Sequence, residues 1–186
     1  MSRHVTNQLR IIGGTWRSRR VNFPDVEGLR PSPDRVRETL FNWLAPIIQG
    51  AHCLDLYAGS GALGLEALSR GADAVTFVDV DNRVAVQLEQ NLTLLGASGA
   101  QVMQMDALVF LQRAPQPFDV VFLDPPFHRG LLPACLEKLS TGWLAEGARV
   151  YVENEAELGE PPLPPEWTLL RSKQAGRVRY SLLQAP

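Results

Sequence analysis

The chain has 186 residues, enough for one domain and a short extension. Its net charge is −2, its two cysteines lie far apart and outside any CxxC pattern, and no apolar stretch approaches a membrane span. These features argue against a disulfide scaffold, a structural zinc site and an integral membrane protein, and they favour a reducing, cytoplasmic setting.

Charge is unevenly distributed along the chain. Residues 1–37 hold eight arginines against Asp25, Glu27 and Asp34, a balance of +5, which leaves −7 on the rest. A basic arm on an acidic body points to an anionic partner, with a merely solvated arm as the plain alternative. The charges at the start are not followed by an apolar run, so a signal peptide is not expected. His4, His52 and His128 lack metal-ligand spacing, and no metal is expected.

Residues 1–31, with Gly13-Gly14, read as a basic arm or small β-extension, and residues 32–186 as the main domain. A helix follows over "PSPDRVRETLFNWLAP", with Ser32 as cap, Pro33 in the first helical position, and Pro46 near its end. From Cys53 the pattern alternates. "CLDLY" reads as a strand, "GALGLEALSRG" as a helix, "AVTFVDV" as a strand, and "NRVAVQLEQNLTLLG" as a helix capped by Asp81. Next come the strand "AQVMQM", a short helix "DALVFLQR", the strand "FDVVFL", a helix about 131–140, and the strand "ARVYVEN". After the proline cluster "EPPLPPEW", the segments "TLLRS" and "VRYSLLQ" can pair as an antiparallel hairpin. The order predicts an α/β fold with a doubly wound, mostly parallel sheet. Ligands of such sheets bind beyond the carboxyl ends of the strands, where Asp55, Asp79, Asp106 and Asp124 all fall.

"YAGSGALG" places Gly59, Gly61 and Gly64 in GxGxxG spacing between a strand and a helix, with Asp79 twenty residues beyond Gly59. That is a nucleotide-binding fingerprint, and it fits both NAD and S-adenosylmethionine. Asp55 stands just ahead of the loop, where it would repel a pyrophosphate and attract the ammonium and sulfonium of S-adenosylmethionine. Its plain alternative is a bond to nearby backbone amides. Asp79 and Asp81 compete for the ribose hydroxyls; Asp79 is favoured because it follows the strand directly, and Asp81 reads better as a helix cap. Asp106 can accept from the adenine amine, cap the next helix, or do both.

In "FDVVFLDPPF" an apolar strand ends on Asp124, Pro125, Pro126 and Phe127. A planar exocyclic amine is a poor nucleophile, because its lone pair is delocalised into the ring. The Asp124 carboxylate and the Pro125 carbonyl can accept its two N–H bonds, and Phe127 can stack on the base. The prolines stiffen the turn and remove competing donors.

The motifs "LDLYAGSGALGLEALSRGA" and "VVFLDPPF" resemble those of S-adenosylmethionine-dependent amino methyltransferases. With "LRIIGGTWRSRRV" and "GLRPSPDRVRETLFNWL", the chain resembles the bacterial 16S ribosomal RNA guanine-N2 methyltransferases of the RsmD type, from about residue 9 onward. The resemblance implies a seven-stranded Rossmann-like class I methyltransferase fold with an antiparallel seventh strand. It implies Asp55, Gly59 and Gly61 at the methionine end of the cofactor, Asp79 at the ribose and Asp106 at the adenine. Asp124, Pro125 and Phe127 would hold the guanine, and Arg10, Arg17, Arg19 and Arg20 would meet phosphates of 16S ribosomal RNA. The chain departs from the family's usual Arg-Pro-Thr-Thr-Asp at Arg30 to Asp34, and Asp79 stands where relatives often carry glutamate. Other readings keep the chemistry on another planar amine, such as adenine N6 or a protein amide. A nicotinamide-dependent oxidoreductase would leave the proline corner and the arm unexplained. An idle RNA-binding factor would keep the fold alone.

Overall fold

Strand–helix alternation builds a seven-stranded sheet in the computed structural model, which describes residues 7–186. Arg3 and His4 lie outside the described residues. In chain order the elements are β1 (Asn7–Arg10), β2 (Arg20–Phe23), α1 (Asp34–Leu44), β3 (His52–Leu56), α2 (Ala62–Ser69), β4 (Ala74–Asp79) and α3 (Asn82–Leu95). They continue with β5 (Ala100–Gln104), α4 (Ala107–Phe110), β6 (Phe118–Leu123), α5 (Leu131–Leu139), β7 (Leu144–Glu155), β8 (Thr168–Ala175) and β9 (Val178–Gln184).

The large sheet runs β5-β4-β3-β6-β7-β9-β8. All its strands are parallel except β9, which is antiparallel to both β7 and β8. The chain winds outward from β3 to β5, then returns to the other side of β3 as β6. That reversal opens a crevice at the carboxyl ends of β3 and β6, the usual ligand position in such sheets.

Each face of the sheet is covered. Cys53, Phe77, Phe122 and Tyr151 belong to the cluster under α1, α2 and α3, and Leu54, Val121, Leu123 and Val152 to the cluster under α4 and α5. Burial on both sides explains why β3 and β6 read as nearly continuous apolar runs. Helix α3 starts where Asp81 accepts from Arg83 N at 2.8 Å and ends at Gly96, which takes φ 63°.

Strands β1 and β2 form a separate antiparallel pair. Their Leu9, Ile11, Val21 and Phe23 region joins the same apolar cluster as α1–α3. This segment lies over α2, which is why that helix is buried along its whole length and carries few polar residues. Glu66 of α2 accepts from Ile12 N at 3.0 Å and Gly13 N at 2.8 Å, and Ser69 Oγ accepts from Trp16 N at 2.9 Å. A Cβ at Gly14 would sit 1.8 Å from the Ser69 carbonyl, so only glycine allows this approach.

The start of α1 differs from the sequence expectation. Pro33 occupies the cap position, the helix begins at Asp34, and no side chain caps it. The Ser32 hydroxyl instead donates to Glu153 Oε1 at 2.6 Å, because a buried carboxylate is a stronger acceptor than a helix end is a donor. Arg37 also departs from the picture of a uniformly basic arm: it is buried, with contacts to Asp34 at 2.6 Å and Glu66 at 3.6 Å.

Candidate active site

The glycine loop is held by acids on two strands. Asp79, at the end of β4, accepts from Gly59 N at 2.9 Å through one oxygen and from Asp81 N at 2.9 Å through the other. Asp55 of β3 is buried and accepts from Gly64 N at 3.0 Å. The plain alternative for Asp55 therefore holds for one of its oxygens. Burial pushes the Asp55 carboxyl well above the usual range, the Gly64 amide opposes that, and Asp79 adds to it.

Two glycines are required by packing. A Cβ at Gly64 would lie 2.3 Å from the Phe77 ring and 2.9 Å from Asp55 Oδ2. One at Gly61, which has φ 78°, would lie 2.4 Å from Leu88 Cδ2. Gly59 is different: a Cβ there would meet nothing nearer than Leu29 Cγ and Tyr57 O at 3.8 Å, so the loop's outer face is open. At the edge of the crevice, Asp106 caps α4 through Oδ1, which accepts from Leu108 N at 2.8 Å and Val109 N at 3.1 Å, leaving Oδ2 for a ligand.

This donor set tests the two cofactors. A pyrophosphate needs free amides at the start of α2, yet Gly64 N is committed to Asp55, and Ala62 N to Ser60 Oγ at 3.3 Å. The flanking charges are carboxylates. An acid-ringed loop with an open outer face fits S-adenosylmethionine, which is cationic at its methionine end and offers hydroxyl and amine donors elsewhere.

Across the crevice, Asp124 follows β6 and is half-buried, Pro125 is buried, and Phe127 is half-buried with its ring edge toward His128. The corner is tied down by Glu155, which accepts from His128 N, while the His128 side chain is exposed. Burial raises the Asp124 carboxyl well above the ordinary range, and Glu153 and then Asp55 raise it further.

Glu153 was not legible as a site residue in the sequence. Leu123 pairs with Val152 in the β6–β7 ladder, so Asp124 and Glu153 come next to each other on one face. Glu153 is buried, and its Oε1 accepts from both Ser32 Oγ at 2.6 Å and Tyr151 OH at 2.8 Å. The available signal was the same as for the other acids, a carboxylate closing an apolar strand. Leu29, beside Gly59, carried no signal at all.

All four of Arg10, Arg17, Arg19 and Arg20 are exposed. Arg10 pairs with Asp34 at 3.0 Å and Arg19 donates to the Leu94 carbonyl at 3.1 Å. Arg17 and Arg20 make no ion pair among the described residues.

A parallel sheet reversing at β3/β6, with an inserted antiparallel β9, a glycine loop and an acid-led proline corner, defines a Rossmann-like class I methyltransferase. The family described as Conserved hypothetical protein 95 matches residues 9–184. The ribosomal RNA small subunit methyltransferase D of Escherichia coli K12 is 53% identical over 180 residues, covering 96% of this chain and 91% of its own. The Haemophilus influenzae protein of that name is 50% identical over 187 residues, covering 97% and 96%. A solved E. coli structure, described as a candidate methyltransferase, superposes with TM-score 0.90 at 51% identity over 96% of this chain and 98% of its own. The chain belongs to this ribosomal RNA small subunit methyltransferase D family.

Proposed function

We propose that this chain transfers a methyl group from S-adenosylmethionine to the exocyclic N2 of a guanine in 16S ribosomal RNA of the small subunit. The reading is carried by Asp124, half-buried at the end of β6 beside the Pro125-Pro126 turn, across the crevice from the glycine loop. The family membership supports the ribosomal RNA substrate.

The cofactor supplies an electrophilic methyl group on a sulfonium. Asp55, Gly59 and Gly61 form the wall for its methionine end. Asp79 offers the ribose hydroxyls the lone pairs that its two amide bonds leave free, and Asp106 Oδ2 offers an acceptor to the adenine amine. On the substrate side, the Asp124 carboxylate accepts one N2–H and the Pro125 carbonyl accepts the other. With both hydrogens held, N2 is drawn from planarity and its lone pair becomes available. As the methyl carbon passes to N2, its bond to sulfur would break with the electron pair staying on sulfur as a neutral thioether, and N2 would carry a surplus proton. Asp124, raised by burial, is a better proton acceptor than an ordinary carboxylate. Phe127 stacks on the base, which must be unpaired or flipped to reach the corner.

The segment of residues 1–31 serves as an RNA-facing extension of the methyltransferase domain of residues 32–186. Arg10, Arg17, Arg19 and Arg20 give it affinity for phosphates. No helix among the described residues is long and apolar enough to cross a membrane. We assign the protein to the cytoplasm, where its two buried free thiols, Cys53 and Cys135, stay reduced.

The test supplies methyl-labelled S-adenosylmethionine with unmodified small-subunit RNA, naked and assembled with its proteins, followed by digestion to nucleosides. Label in N2-methylguanosine is expected. Cofactor binding without label in either form removes the ribosomal RNA assignment.

A further inference from the structure

The mechanism above uses one of two neighbouring acids. Glu153 is 7% exposed and lies beside Asp124 on the adjacent strand. Two acids in adjacent positions repel each other and lose solvation, so sheet architecture alone does not favour the pair. The protein has furnished this acid with fixed partners from two directions. Ser32, on the segment leading into α1, and Tyr151, two residues earlier on β7, both donate to Oε1. Oε2 receives no donor from the described residues. Across the ladder on its other side stands Tyr180 of β9, whose ring stacks on Trp43 and which offers Glu153 no hydrogen bond. The carboxyl is thus locked in orientation by one oxygen, with the second left to act beside Asp124.

The base that Asp124 is assigned to hold presents two adjacent donors along one edge. In guanine the exocyclic N2–H2 group lies next to N1–H. In adenine the atom next to the exocyclic amine is N1 without hydrogen, an acceptor. A lone Asp124–Pro125 clamp accepts any planar amine and does not distinguish them. A second acceptor on the neighbouring strand does.

We propose that Glu153, held through Oε1 by Ser32 and Tyr151, presents Oε2 to N1–H of the target base and so selects guanine over bases whose N1 is an acceptor. The inference rests on the guanine-N2 reading and names the residue that enforces it. Glu153 is then a specificity residue touching substrate, and Ser32 and Tyr151 are positioning residues that act through it. A site built to accept a donor discriminates strongly against an analogue that lacks it, since two acceptors are then left facing each other.

The test uses small-subunit RNA carrying guanine or 2-aminopurine at the methylated position. 2-Aminopurine keeps the N2 amine but turns N1 into an acceptor and removes O6. The wild-type protein should prefer guanine by on the order of 100-fold in kcat/KM. Glu153→Gln keeps an oxygen for Ser32 and Tyr151 but can turn an amide donor toward N1. It should shrink the preference to about threefold or invert it, with S-adenosylmethionine affinity unchanged. Because O6 is absent from 2-aminopurine for both proteins, the change in ratio isolates N1. A structural role for Glu153 would lower both rates together and leave the ratio intact, which overturns the proposal. Equal use of the two bases by the wild type overturns it without any variant. Should Glu153→Gln fail to fold, Ser32→Ala loosens the same carboxyl and should narrow the ratio several-fold; an unchanged ratio there also overturns it. Absence of methyl on guanine by the wild type removes the underlying function, whereas methyl on guanine with no N1 preference removes only the Glu153 assignment.

Discussion

Two buried glutamates serve opposite ends. Glu66 of α2 and Glu153 of β7 are 0% and 7% exposed. Glu66 is saturated: Arg70 Nε at 2.8 Å, Ile12 N, Gly13 N and the Arg37 guanidinium at 3.6 Å surround it. Its charge is neutralised, both oxygens are used, and it welds the arm to the body. Glu153 has two hydroxyl donors on one oxygen, no cation among the described residues, and an acid for a neighbour. Burial alone therefore does not separate architecture from chemistry. The unspent acceptor and the unneutralised charge do.

The largest expected effect lies on the undersaturated side. Asp124→Ala removes an acceptor for the reacting amine and should lower kcat by about 10³-fold or more, on the order of 4 kcal/mol. Thermal stability and S-adenosylmethionine affinity should stay near wild type, since Asp124 makes no hydrogen bond to the glycine loop. Turnover within tenfold of wild type would remove Asp124 from the chemistry.

The saturated side predicts the reverse. Glu66→Gln removes the more buried of the two carboxylates facing Arg37, leaving it Asp34 alone, and weakens the anchor of Ile12 and Gly13, so unfolding stability should drop by about 3 kcal/mol. Denaturant melts measure this directly. Near the temperature where the variant is folded, its choice between guanine and 2-aminopurine should match the wild type. A shifted base preference would blur the distinction drawn between the two glutamates.

How far these roles could be read from the sequence follows the same division. Strand and helix order was legible because β3, β6 and α3 carry their burial pattern in their own residues. Asp79, Asp106 and Asp124 stood out because each falls at the carboxyl end of a strand pattern, and the strands do end there. The partners of Ser32 and Glu66 were not. Ser32 meets Glu153 across 121 residues, and Glu66 meets Ile12 across 54, contacts that no local pattern encodes. Ser32 was read as a cap because serine before Pro-Asp has that local meaning, and tertiary structure gave its hydroxyl to a better acceptor. Arg37 was counted with the basic arm because charge is visible in a sequence and burial is not.

Titration sharpens the comparison with a smaller effect. Asp55, Asp124 and Glu153 all have carboxyls raised by burial, so the folded protein binds protons in a pH window where the unfolded chain has released them. Their contribution to stability is then full below the ordinary carboxylate range and is lost as pH rises through the raised folded values. In the proposed role Asp124 must be ionised to take up the N2 proton, so methyl transfer should run the other way. Between the ordinary and the raised values, activity should rise with pH while stability falls. Parallel pH profiles of single-turnover rate and melting temperature test this, and an acid limb at the ordinary carboxylate pKa would contradict it.

The smallest effect concerns the arm. Arg17 and Arg20 are exposed and free of ion pairs among the described residues, whereas Arg10 already shares its charge with Asp34. If the arm meets phosphate, each unpaired arginine adds about 0.7–0.9 to the slope of log affinity against log salt, with the sign that salt weakens binding. The Arg17→Ala, Arg20→Ala double variant should flatten that slope by about 1.5 and weaken binding at low salt several-fold. Melting temperature should not move, because neither side chain takes part in the Glu66 anchor. Arg10→Ala should flatten the slope less, since removing it also releases an uncompensated Asp34 near the same surface. A double variant that keeps the wild-type slope would assign the arm to docking alone, and the Glu66 anchor would then be its whole purpose.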